Sequence, residues 1–142
     1  MSLAHVDLVV SSLERSLAFY RGLLGPLGFD EASEIEGERG ERVVYLGGER
    51  TDFSIGLRQR QTDTPHDRYA VGLHHLAVTA PSREVVEERG AWAHANGATI
   101  ESEPREYPYS EGYYAVFLHD PDGIKLEIVT KGPAQVARAS ND

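Results

Sequence analysis

The chain has 142 residues, 40 % of them hydrophobic, and 14 basic against 23 acidic side chains give it a net charge of −9. That length and apolar content suit one domain with a core of its own and exclude global disorder, while the negative charge argues against a nucleic-acid partner and a basic membrane-binding face. No apolar run reaches the ~18–20 residues of a spanning helix, no signal-peptide pattern opens the chain, and the absence of cysteine excludes disulfides, zinc–thiolate sites and cysteine nucleophiles. The cytoplasm is then the default location.

Leu3 to Val10 alternates like a strand. Ser11-Ser12 caps a helix whose apolar positions Leu13, Leu17, Tyr20, Leu23 and Leu24 recur at three- and four-residue steps, and Gly25-Pro26 ends it. Strands follow over Phe29 to Glu36, Arg42 to Leu46 and Asp52 to Arg58, separated by glycine-rich turns. Gln59 to Tyr69 is polar and reads as a connection. A second strand–helix pattern then opens at Leu73 to Thr79, with Ser82 capping a helix over Arg83 to about Asn96; its apolar positions are Val85, Val86, Ala91, Trp92 and Ala95. Strands over Thr99 to Glu103, Tyr113 to His119 and Ile124 to Thr130 complete the second half. The last two are joined by Asp120-Pro121-Asp122-Gly123, a turn by its chemistry. The fold class is α+β, with a first β-α-β-β-β module at 3–59, a linker at 60–71, a second module at 72–131 and a loose tail at 132–142.

The modules share more than a plan. Leu3-Ala4-His5-Val6-Asp7-Leu8 returns seventy positions later as Leu73-His74-His75-Leu76-Ala77-Val78, with His75 in the place of His5. Strand alternation puts His5 and Asp7 on one face, and His75 and Ala77 on its counterpart. In the last strand Glu127 is a carboxylate between Leu126 and Ile128, so it faces inward while its neighbours face the helices. Its counterpart in the first module is Gly56. A buried carboxylate needs a partner or a metal, and two imidazoles with one carboxylate form a facial set for a divalent metal with open positions. Lys125, two residues away on the same face, is the alternative partner. Tyr113, Ala115 and Phe117 share the inner face, Tyr114 packs outward, and the loop bearing Tyr107 and Tyr109 rims a pocket. His74 alternates away from His75, and His66, His94 and His119 read as solvated.

The segments AHVDLVV…LERSLAFYRGLLGPLGF, HHLAVTAPS and YYAVFLHDPDGIKLEIV resemble the vicinal oxygen chelate superfamily, which includes glyoxalase I, bleomycin- and fosfomycin-resistance proteins and extradiol dioxygenases. The resemblance spans about residues 3–131. It implies a cup-shaped open barrel built from the two modules and metal ligands at His5, His75 and Glu127, with glycine at position 56 where a glyoxalase I carries glutamate. It further implies a divalent metal (Fe, Mn, Ni, Zn or Co), a small-molecule substrate with vicinal oxygens, and a homodimer. Asp7 and Tyr113 are the expected catalytic side chains; Tyr109, Tyr113, Phe117 and Ser54 are the expected substrate contacts. Two other readings stand beside this one. A metal-free binding protein of the antibiotic-sequestering type fits the acidic charge. An extradiol Fe(II) dioxygenase fits His-His-Glu, although Phe117 stands where such enzymes tend to carry a tyrosine.

Overall fold

The computed structural model describes residues 2–131, so the tail expected at 132–142 lies outside the described residues. These form eight strands and two α-helices in two units that divide between Pro65 and His66.

In the first unit, β1 (His5–Val10) leads into α1 (Leu13–Leu24), a 3-10 turn at Gly25–Leu27, then β2 (Glu31–Glu36), β3 (Arg42–Gly47) and β4 (Ser54–Gln59). The Ser12 side chain accepts a hydrogen bond from the Arg15 N–H at the start of α1, satisfying one of the N–H groups a helix start leaves without a partner. The strands lie in the order β1-β4-β3-β2, with β1 and β4 parallel. Ile55 and Leu57 are fully buried, and α1 packs on their strand. Alternation sends Ser54, Gly56 and Arg58 to the opposite face, where register sets them beside His5, Asp7 and Val9. Every residue of β2 is exposed.

The second unit repeats the plan with β5 (Leu76–Thr79), α2 (Arg83–Ala95), β6 (Ile100–Glu106), β7 (Tyr113–His119) and β8 (Lys125–Lys131), in the sheet order β5-β8-β7-β6. Parallel pairing of β5 with β8 sets Ala77 opposite Glu127, the rung at which the first unit sets Asp7 opposite Gly56. The structure is an α+β fold of two half-domains, as the sequence indicates.

Three details differ from the sequence reading. β5 starts at Leu76, so His74 and His75 form its run-in and do not alternate between faces. β6 continues past Glu103 through Pro104 to Glu106. Proline is tolerated because β6 is the sheet edge, and its pairing with β7 slips at Ser102 and Arg105. The buried stripe of α2 is Val86, Arg89, Gly90 and Ala93, whereas Ala91 and Ala95 are exposed. No helix among the described residues is long and apolar enough to cross a membrane.

Candidate functional site

In the second unit, β8 carries Glu127 into the interior, 3 % exposed, between the buried Leu126 and Ile128. Antiparallel pairing with β7 places Phe117 opposite it. The run-in to β5 brings His75 alongside, with Nε2 at 3.1 Å from Glu127 Oε1. The Tyr113 hydroxyl donates to the other oxygen, Oε2. Burial, and then the Glu127 carboxylate, push the Tyr113 phenol above its ordinary value, so at neutral pH it is a donor and not a phenolate. Lys125, the alternative partner for Glu127, turns instead to Glu101, with Nζ 2.9 Å from Oε2.

These groups line an open cavity of about 590 Å³, within the size range of small-molecule sites. Tyr109, Tyr113 and Phe117, the substrate contacts expected in this half, all line it with His75 and Glu127. Tyr107 and Tyr109 stack with ring centroids 5.3 Å apart, and the Tyr113 edge meets Tyr109 at 5.2 Å. Tyr107 is buried and forms the wall with Ala115, Phe117 and Val129, whereas Tyr109 is exposed at the rim. The Arg105 guanidinium lies over the Tyr107 ring at 4.0 Å.

Two histidine placements are corrected here. His74 does not turn away: its Nδ1 lies 2.8 Å from His75 Nδ1, and it lines the same cavity. The reason is that both histidines precede the ladder, where strand alternation does not apply. Burial, and then the neighbouring His75, Lys125 and Arg68, push His74 below its ordinary value. His119 is not solvated: Nε2 bonds Glu101 Oε1 at 2.9 Å and the side chain is mostly covered. Tyr114 faces the helix side, where its hydroxyl donates to Glu87 of α2.

In the first unit, His5 and Asp7 lie on the face of β1 that also shows Ser54, Gly56 and Arg58 of β4 and Tyr45 of β3. Asp7 is tied to His5 Nδ1 at 2.7 Å, and accepts from the Tyr45 hydroxyl at 2.8 Å and from Arg58 Nε at 2.7 Å. Burial pushes the Asp7 carboxyl up, but the hydrogen bonds from Arg58, Tyr45 and His5 together hold it below its ordinary value. Tyr45 and Arg58 gave no signal in the sequence; only the pairing of β3 with β4 brings them to Asp7. Ser54 stands in register with His5.

The spacing of the donor atoms bears on whether they could hold a metal. Two cis ligands each ~2.1 Å from a divalent ion stand roughly 3 Å apart, and His75 Nε2 and Glu127 Oε1 are separated by 3.1 Å. An imidazole and a monodentate carboxylate, its second oxygen held by a phenol, therefore fit as two ligands. The described residues hold no group of three or more His, Asp or Glu side chains suited to a metal.

Comparison with known proteins bears on the same stretches. The family model described as the Glyoxalase/Bleomycin resistance protein/Dioxygenase superfamily matches residues 2–128. The chain is 31 % identical over 131 residues to the uncharacterized protein YqjT of Bacillus subtilis, covering 88 % of this chain and 95 % of that protein. It is 30 % identical over 134 residues to a lactoylglutathione lyase of Neisseria meningitidis, covering 92 % and 91 %. The fosfomycin resistance protein FosX of Listeria monocytogenes superimposes with a TM-score of 0.68 over 97 % of both chains at 19 % identity, a likeness of fold alone.

Proposed function

The chain belongs to the glyoxalase/bleomycin resistance protein/dioxygenase superfamily, and from that premise we propose that it is a metal-dependent member acting on a small substrate with vicinal oxygens. The observation that carries this reading is the 3.1 Å approach of His75 Nε2 to Glu127 Oε1 in the wall of an aromatic-lined cavity. His5 is the third ligand, supplied by the sequence repeat. A divalent metal (Fe, Mn, Ni, Zn or Co) held by His5, His75 and Glu127 would supply Lewis-acid stabilisation of negative charge on a substrate oxygen.

The chain's own side chains supply the rest. Tyr113 donates its one phenolic proton to the second oxygen of Glu127, so towards a substrate in the cavity its oxygen serves as an acceptor. Tyr109 and Phe117 enclose an apolar part of that substrate, and Ser54 offers a hydroxyl beside His5. Asp7 carries three hydrogen-bonding partners and a lowered pKa, which makes it a weak base, so proton transfer is assigned to bound water. A glyoxalase I activity is disfavoured because Gly56 has no side chain to act as ligand or base. The homodimer implied by the resemblance and the default cytoplasmic location both belong to this proposal.

Elemental mass spectrometry on untagged protein purified without chelator tests the reading. About one metal per chain is expected, and His75→Ala should abolish stoichiometric binding; binding unchanged in that variant would sink the ligand assignment. Iron together with oxygen uptake on a catechol would turn the reading toward ring cleavage. A second reading has its own support: His75 and Glu127 already satisfy each other by a hydrogen bond. No metal on purification or reconstitution would make the pair a pocket wall and the chain a binding protein.

A further inference from the structure

At one rung of each sheet the two units carry a carboxylate on one strand and a small residue on its parallel neighbour, but the arrangement is reversed. The second unit has Ala77 on its first strand and Glu127 on its last; the first unit has Asp7 on its first strand and Gly56 on its last. The glycine is required where it stands. A Cβ at position 56 would lie 2.6 Å from Asp7 Oδ1 and 2.6 Å from Tyr45 Cε1, distances that real Cβ atoms do not tolerate. The Asp7 carboxylate and the Tyr45 ring occupy the space that a side chain at 56 would enter.

That carboxylate is held from three sides. Arg58 and Tyr45 both bond Oδ2, while Oδ1 faces His5 Nδ1 at 2.7 Å. Arg58 is fixed in turn by Glu41, with 3.3 Å between Nη1 and Oε2. An ionised carboxylate only accepts hydrogen bonds, so the 2.7 Å contact puts a proton on His5 Nδ1. A neutral imidazole then has a bare Nε2. No described residue of the first unit bonds that nitrogen, and His5 is 54 % exposed.

From this geometry we infer that Asp7 is a positioning residue for His5: clamped by Arg58 and Tyr45, it fixes the Nδ1–H tautomer and turns a bare Nε2 outward as a ligand atom. The device differs from that of the second unit. There the carboxylate lies beside Nε2 itself, and His74 occupies the Nδ1 side. A carboxylate behind a ligating histidine orients the ring and raises its basicity. The use of Nε2 as a ligand rests on the metal reading above; the tautomer does not.

The test is ¹⁵N-histidine NMR on the full chain, freed of metal and held above pH 8, with His5→Gln identifying the His5 signals. Cobalt(II) titration on the same samples reports affinity. In the unaltered protein, His5 should show a protonated Nδ1 and an unprotonated Nε2. In Asp7→Ala it should move toward the Nε2–H form, and cobalt should bind about 10–100-fold more weakly, with circular dichroism unchanged. A His5 protonated on Nε2 in the unaltered protein would overturn the inference without any variant, so a failure of Asp7→Ala to fold does not protect it. A tautomer untouched in a folded Asp7→Ala would overturn it as well. If cobalt fails to bind the unaltered protein while the tautomer depends on Asp7, the positioning role stands and the metal reading falls.

Discussion

Glu101 gathers more positive charge than any other carboxylate described here. Arg68 Nη1 lies 2.7 Å from Oε1, His119 Nε2 2.9 Å from Oε1, and Lys125 Nζ 2.9 Å from Oε2. The His119 bond, working against burial and joined by Lys125 and Arg68, brings its pKa from 4.5 down to about 2. A carboxyl depressed on folding contributes stability that is present above the unfolded value and lost as pH falls toward the folded one. Glu101→Gln should therefore cost stability at pH 7, and the deficit should shrink between pH 4.5 and 2, measured by urea unfolding at a series of pH values. A deficit that stays constant through that window would mean that the cluster contributes by packing and not by charge. Glu101 also keeps Lys125 off Glu127, so the same variant frees an ammonium group beside the candidate ligands.

At the scale of elements, α2 sits close to its sheet because residue 90 has no side chain. A Cβ there would stand 3.0 Å from Pro104 Cγ and 3.7 Å from Val116 Cγ2. Gly90→Leu should destabilise the fold by about 1–3 kcal/mol through overpacking, read from the urea midpoint at unchanged slope; a neutral result would show that β6 gives way at its slipped register. This helix also shows what the sequence made legible and what it hid. Ser82 announces the start through its hydroxyl, and Asn96-Gly97 the end, because caps are local chemistry. The buried stripe is not legible in the sequence because Arg89 and Gly90 lie on it without any apolar signal, while the exposed Ala91 and Ala95 carry one. Strand parity fared better for Tyr113, Phe117 and Glu127, since period two leaves only two faces to choose from. It failed for His74 because alternation cannot tell a ladder from the residues leading into it.

At the scale of the whole chain, the repeat made the site partly legible. Alignment of Ile55-Gly56-Leu57 with Leu126-Glu127-Ile128 makes Gly56 the counterpart of Glu127, and the registers of β1 with β4 and β5 with β8 agree with that equivalence. What stayed hidden were side chains drawn together from strands without a shared pattern: Tyr45 and Arg58 around Asp7, and Arg68, His119 and Lys125 around Glu101.

The parallel pairing of each unit's first and last strands has a consequence in time. β7 and β8 meet through the short turn at Asp120, whose Oδ1 accepts from the N–H groups of Asp122 and Ile124, both at 2.8 Å. This hairpin brings Tyr113, Phe117 and Glu127 together with little loop to close. His75 lies 52 residues from Glu127 in sequence, and contacts of that span pay their closure entropy before they gain anything. The hairpin should then belong to the folding nucleus, and the His75–Glu127 pair should form on the far side of the barrier. A metal gripping that pair should slow unfolding and leave the refolding rate unchanged. In stopped-flow chevrons with and without zinc, only the unfolding arm should move; a faster refolding arm would put the pair inside the nucleus. On this ordering, a chelator shortens the lifetime of the folded chain without impeding its return.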